Sequence, residues 1–98
     1  MKRKNTQIPQ VDFLDPFDRQ LQKLPADILE GFFDTLQLLL EDPQNPSLRN
    51  HALRGKFTGL RSIDVTPDVR AIFKAEARGK GQIVYIFRLI GTHKELYS

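Results

Sequence analysis

The chain has 98 residues, of which 40% are hydrophobic and 28% charged, a composition typical of one folded domain with a modest core. It contains no cysteine, which excludes disulfide frameworks, thiolate nucleophiles and Cys-rich zinc sites, and its apolar runs are too short to span a bilayer. The net charge of +3 favours a polyanionic partner, and we expect a cytoplasmic protein that has no membrane partner.

The first residues predict an arm, a strand and the start of a helix. Residues 1–9 are polar and basic and predict a flexible arm ahead of a single domain over residues 10–98. Alternating polar and apolar residues predict a strand over residues 10–14. Asp15 and Pro16 then predict a helix whose N-cap is Asp15.

A proline corner at Pro25 separates this helix from a second one, which ends before Pro43 because the residue preceding a proline disfavours the α region. The spacing of the apolar residues predicts a wide buried face on the second helix. That face consists of Ile28, Leu29, Phe32, Phe33, Leu36, Leu39 and Leu40. The two helices predict an αα-hairpin.

Residues 43–56 contain two prolines and a glycine and predict a long connecting loop. The loop is the most concentrated basic stretch of the chain, with Arg49, Arg54 and Lys56 around His51. Such a loop is either a solvated linker or a functional segment.

From residue 57 the apolar period changes to two, which predicts three strands. In the first of them Ile63 and Val65 would face the core, and Ser62 and Asp64 the opposite side. The last strand, residues 83–90, is apolar on both faces except for Arg88, as expected of a central strand. Short loops demand an antiparallel meander, so the fold class is α+β with the helical hairpin packed on the meander.

Five segments give this chain a resemblance to the RelE/ParE superfamily of bacterial toxins, and in particular to its YafQ-like branch of messenger-RNA-cleaving toxins. They are Phe17–Pro25, Asn45–Leu53, Gly59–Val65, Asp68–Phe73 and Gly91–Tyr97. The resemblance implies a RelE-like domain that acts as the toxin of a type II toxin–antitoxin system. It further implies a ribosome-dependent endoribonuclease that needs no metal and no small-molecule cofactor and is paired with a cognate antitoxin protein.

The resemblance also marks candidate site residues. His51, Asp68, His93 and Tyr97 match the active-site pattern of the branch, and Arg70 matches an arginine of RelE-like relatives. The chain departs from the pattern at Asp64, which stands where YafQ-like toxins have a histidine. It departs again at Arg88, which lies one residue from the usual arginine position, so strand alternation would put it on the other face.

Attack of a ribose 2′-hydroxyl on its phosphodiester requires a base, an acid and cations. Histidine suits both proton transfers because its ordinary pKa of about 6.5 lies near the operating pH. His93 is the candidate acid, and Asp68, or else His51, is the candidate base. Arg70 can bind phosphate bidentately and Tyr97 can stack on a splayed base. The residues expected to hold the RNA backbone by charge are Arg49, Arg54, Lys56 and Arg88.

Simpler interpretations stay open for several of these residues. Asp68 follows a proline and can simply form a turn, Tyr97 can pack against the domain, and Arg61 is better explained as a structural partner than as an RNA contact. The two histidines lack any recognised metal-ligand spacing. At the level of function, the alternatives are a ParE-like toxin that inhibits DNA gyrase and a catalytically decayed homologue that acts only as a binding module.

Overall fold

The computed structural model describes residues 10–97. Five strands and three helices follow one another along this part of the chain: β1 (Gln10–Phe13), α1 (Asp15–Gln22), α2 (Ala26–Glu41), β2 (His51–Ala52), β3 (Arg61–Asp64), β4 (Val69–Ala77), β5 (Ile83–Thr92) and α3 (His93–Tyr97). Short 3-10 turns occupy Pro46–Leu48 and Gly55–Phe57. The arm predicted for residues 1–9 lies outside the described residues.

The strands form one mixed sheet in the order β1-β5-β4-β3-β2. The predicted antiparallel meander of β3, β4 and β5 is confirmed, and β1 joins it parallel to β5. The α+β class and the helical hairpin are likewise confirmed. The predicted loop over residues 43–56 is only partly correct, because His51–Ala52 pairs with β3 as a short edge strand.

Prolines set the boundaries of the helical hairpin. Pro16 lies in the first turn of α1, where a missing N–H costs nothing, and Pro25 is the extended residue immediately before α2. The prediction of Asp15 as N-cap was wrong, since Leu14 holds that position without a side-chain cap. Asp15 is instead the first helical residue, and its carboxylate favours the helix through the dipole.

Phenylalanine rings hold the hairpin on the sheet. Phe17 of α1, Phe32 of α2 and Phe87 of β5 are fully buried, with ring centroids 5.3–5.5 Å apart. Phe33 was predicted to be buried and is 46% exposed. Successive helical residues point about 100° apart, so the side chain after Phe32 is turned away from the sheet.

We call the side of the sheet that α1 and α2 cover the helix face, and the other side the open face. Ile63, Ala71 and Phe73 belong to the core on the helix face. Because strand side chains alternate, Asp64 and Arg70 project from the open face.

A β-bulge changes this alternation in β5. Ile72 of β4 pairs with Leu89 and Phe73 pairs with Phe87, which leaves Arg88 as the extra residue. Phe87 and Ile90 therefore both lie in the helix-face core although three positions separate them. The bulge thus decides which face the residues after Arg88 occupy.

Candidate active site

Two neighbouring strands and the turn before β2 bring three charged side chains together on the open face. Asp64 of β3 pairs in register with Arg70 of β4. Arg70 Nε lies 3.3 Å from Asp64 Oδ1, and Arg49 Nε lies 3.3 Å from Asp64 Oδ2. Arg49 adopts a left-handed conformation (φ 49°) at the end of the Pro46–Leu48 turn. One carboxylate therefore holds two guanidinium groups.

The edge strand β2 places His51 beside this cluster. His51 pairs in register with Ser62 of β3. Its Nδ1 lies 2.7 Å from the backbone carbonyl oxygen of Arg49. A carbonyl oxygen only accepts, so Nδ1 carries the hydrogen and donates it. In the neutral imidazole this leaves the lone pair on Nε2.

The C-terminal helix α3 supplies two aromatic rings. The His93 and Tyr97 rings lie four residues apart along the chain with centroids 4.5 Å apart. The Tyr97 and Phe57 rings are nearly perpendicular, with centroids 5.5 Å apart. The sequence reasoning missed this helix. Its signal was the pair Thr92 and Glu95, a threonine followed three residues later by a glutamate, which is typical of a helix start.

These groups line an open cavity of about 510 Å³. Its lining consists of Arg49, Asn50, His51, Asp64, Arg70, His93 and Tyr97. The lining thus includes both histidines and four other predicted site residues, together with one residue that sequence reasoning missed, Asn50.

Asn50 is held by hydrogen bonds on both sides of its amide. Arg61 Nε donates to Asn50 Oδ1 at 2.7 Å, and Asn50 Nδ2 donates to the Pro43 carbonyl oxygen at 3.2 Å. These bonds agree with the interpretation of Arg61 as a structural partner, because its guanidinium anchors the segment that carries His51. An isolated asparagine in a predicted loop gave no signal of this.

Four predicted residues lie outside that lining. Asp68 is exposed in the turn between β3 and β4, and its backbone N–H donates to Thr66 Oγ1 at 3.2 Å. Lys56 and Arg88 line a second groove of about 290 Å³, which also contains Phe57, the ring that contacts Tyr97. Arg54 is exposed and lines neither.

No cluster of three or more His, Asp or Glu side chains within residues 10–97 is arranged to hold a metal ion. None of the helices in that range has the length and apolar character needed to cross a membrane.

No protein-family model matches the sequence, and no curated protein sequence matches it. Solved structures do. The YoeB/ParE toxin from Agrobacterium tumefaciens superposes with a TM-score of 0.71 at 15% identity, covering 86% of this chain and 98% of that one. YafQ from E. coli strain BL21(DE3) superposes with a TM-score of 0.65 at 21% identity, covering 92% of this chain and 99% of that one.

A third likeness is to the RelBE2 toxin–antitoxin complex from Mycobacterium tuberculosis, with a TM-score of 0.69 at 18% identity over 88% of this chain and 99% of that one. At these identities the likeness concerns the backbone. The chain has the fold of the YoeB, YafQ and RelE toxins.

Proposed function

We propose that this protein is the toxin of a type II toxin–antitoxin pair and that it cleaves messenger RNA on the ribosome. The observation that carries the proposal is the cavity that joins two histidines and two arginines on the open face. The likeness to toxins of that fold supports it, and one of those structures is a complex with an antitoxin. The site of action would be the cytoplasm, where ribosomes are.

The proposed base is His51. Its Nδ1–H is engaged by the Arg49 carbonyl oxygen, so Nε2 is the nitrogen available to take a proton. Asp68, the other candidate, is an exposed turn residue that does not line the cavity. We therefore assign proton removal from the ribose 2′-hydroxyl to His51.

The proposed acid is His93, on the α3 side of the same cavity. The 2′-oxygen attacks phosphorus as His51 takes its proton, and the bond from phosphorus to the 5′-oxygen breaks as His93 donates one. The products are a 2′,3′-cyclic phosphate and a free 5′-hydroxyl. One proton is taken and one is given, so the step balances without a further reactant.

Arg70 is proposed to stabilise the charge that develops on phosphorus. Its contact with Asp64 is made through Nε, and no other ion pair of this guanidinium occurs among residues 10–97. Its terminal amino groups can then bind the phosphate oxygens. Asp64 would keep the guanidinium in place, and Tyr97 would stack on a base next to the cleaved bond.

Induction of the intact chain in bacteria is the first test. We expect growth arrest and fragmented messenger RNA, while His51→Ala and His93→Ala leave growth normal. Lys94→Ala is the matched control, because Lys94 lies next to His93 on α3 and does not line the cavity. Arrest by the histidine variants equal to the wild type contradicts the catalytic assignment.

Other outcomes of the same experiment point to the alternatives. DNA-damage signalling with intact messages indicates gyrase inhibition, and no arrest at all indicates a binding module. With purified protein and ribosomes programmed with a defined message, kcat/KM is expected to give a bell-shaped pH profile. His51→Ala should lower kcat/KM strongly, whereas Asp68→Ala should retain cleavage.

A further inference from the structure

The junction between β5 and α3 contains a pair of reciprocal hydrogen bonds. The backbone N–H of Thr92 donates to Glu95 Oε1 at 2.7 Å, and the backbone N–H of Glu95 donates to Thr92 Oγ1 at 3.1 Å. This is a capping box, in which each side chain satisfies a backbone donor of the other residue. It fixes the angle at which the chain leaves the strand.

Gly91 gives this box the space it occupies. A Cβ at Gly91 would lie 2.9 Å from Glu95 Oε1, 3.5 Å from Glu95 Cβ and 3.6 Å from Leu96 Cδ2. Gly91 is buried and its φ is not positive, so a Cβ here would meet the Glu95 carboxylate and would not strain the backbone.

A helix of five residues does not hold itself in water. Two other contacts attach α3: the Leu96 side chain is 6% exposed against the sheet, and Tyr97 meets Phe57. Both lie in the second half of the helix. His93, at its first position, depends on the capping box for its direction.

We propose that Gly91, Thr92 and Glu95 are positioning residues that aim His93 into the cavity. The inference rests on the proposed function. None of the three lines that cavity. They act through α3, by fixing the turn that carries the proton donor.

The expected effect follows from the geometry of proton transfer. A displacement of about 1 Å at a reacting group lowers a rate by up to about a hundredfold. Loss of the box should therefore lower kcat by about ten- to a hundredfold and leave KM nearly unchanged, because the arginines and Tyr97 that bind RNA are held by other contacts.

Conservative and disruptive substitutions at the same position separate positioning from general damage. Glu95→Gln keeps an oxygen that accepts from Thr92 N–H, and Thr92→Ser keeps a hydroxyl that accepts from Glu95 N–H. Cleavage by purified protein on ribosomes programmed with a defined message should stay within about threefold of wild type for both. Glu95→Ala and Thr92→Val should show the loss in kcat.

Gly91→Ala provides a second variant that retains both capping side chains. Its methyl group would displace the Glu95 carboxylate, so the loss should resemble that of Glu95→Ala. The double variant Gly91→Ala/Glu95→Ala should lose no more activity than either single variant, since both substitutions remove the hydrogen bond from Thr92 N–H to Glu95 Oε1. Additive losses would contradict the proposal.

A nuclear magnetic resonance measurement tests the position of His93 without activity. Cross-peaks between the His93 and Tyr97 rings, 4.5 Å apart in the wild type, should vanish in Glu95→Ala and persist in Glu95→Gln, while β4 amide shifts stay unchanged. Equal losses of kcat in Glu95→Gln and Glu95→Ala, or ring cross-peaks unchanged in Glu95→Ala, would overturn the inference. A wild type that cuts no RNA overturns the proposed function alone, because the ring measurement still decides whether the box positions His93.

Discussion

The two faces of the sheet are built from the same strands and differ in what holds them. On the helix face, Ile63, Ala71 and Phe73 are fully buried under an apolar layer. On the open face, Asp64 and Arg70 stand between those residues in sequence and form a partly exposed ion pair. Because the side chains of a strand alternate between the two faces, residues that stabilise the core are direct sequence neighbours of residues that line the cavity. Substitutions one residue apart should therefore have different effects.

Charge follows the same division. The exposed side of α2 is acidic, with Asp27, Glu30, Asp34 and Glu41 along its length. The segment before β3 carries Arg49, Arg54 and Lys56, of which Arg49 lines the cavity on the open face, and Arg88 lies with Lys56 in the second groove. A net charge of +3 therefore understates the asymmetry. Such a dipole turns the open face toward a polyanion during encounter.

The largest effect on stability is expected at Phe32. Phe32→Ala should lower the free energy of unfolding by about 3–5 kcal/mol, because the ring is fully buried among Phe17 and Phe87. Urea unfolding measures it. Phe33→Ala, the adjacent and 46% exposed ring, is the control and should cost under about 1 kcal/mol. Similar losses at both positions would contradict the placement of Phe32, and not Phe33, in the core between the hairpin and the sheet.

Asp64→Asn tests the open face. The amide keeps the size of the side chain and loses the charge that holds Arg49 and Arg70. We expect kcat for RNA cleavage to fall about tenfold because Arg70 is less well placed, while RNA binds more tightly with one anion removed from the cavity. Steady-state kinetics on programmed ribosomes would separate the change in kcat from the change in RNA binding.

The control for Asp64→Asn is Glu76→Gln. Glu76 also bridges two cations, Lys74 and Arg78, and lies outside the cavity. The hydrogen bond from Arg78 lowers the pKa of the Glu76 carboxyl, which favours its charged form. Equal changes in kcat for the two variants would show that Asp64 acts through overall charge.

A smaller effect is expected in the helical layer at Gly31. Gly31→Ala should raise the free energy of unfolding by about 1 kcal/mol, since glycine is costly inside a helix. A Cβ there would lie 3.9 Å from Val65 Cγ1, an ordinary contact distance. Thermal unfolding measures the gain, and a loss of stability would show that the approach of α2 to Val65 is tighter than this.

The smallest effect concerns Ser62, a fully buried residue beneath the open face. Its Oγ has no hydrogen-bond partner within the described range, residues 10–97. Ser62→Ala removes a hydroxyl that was dehydrated without compensation, so stability should be unchanged or rise by up to about 1 kcal/mol. Urea unfolding again decides. A loss above about 1 kcal/mol would indicate a bound water on Oγ.

Periodicity in the sequence predicted the elements that are long enough to show it. The apolar spacing of α2 identified the hairpin, and the alternation in β3 and β4 with the continuous apolar run of β5 identified the meander. The two residues of β2 and the five of α3 are too short for a period to be read. Only the capping pair Thr92 and Glu95 marked α3, and nothing local marked β2.

The sequence predicted which residue types the candidate site would contain, but it predicted less well which individual residues line the cavity. His51 and His93 share the cavity although neither lies in an element that periodicity identified. Arg88 could not be placed, because the bulge at Arg88 itself shifts the alternation. Asp68 was attractive by its position in the chain, and only the turn geometry sets it outside the lining.

The parallel pairing of β1 with β5 has a consequence for synthesis of the protein. β1 finds its hydrogen-bonding partner only in residues 84–87, so the sheet cannot close until β5 has emerged from the ribosome. His93 and Tyr97 follow directly on α3. The sheet and the cavity are therefore completed together, and a nascent chain that lacks β5 and α3 has no assembled cavity for the proposed cleavage.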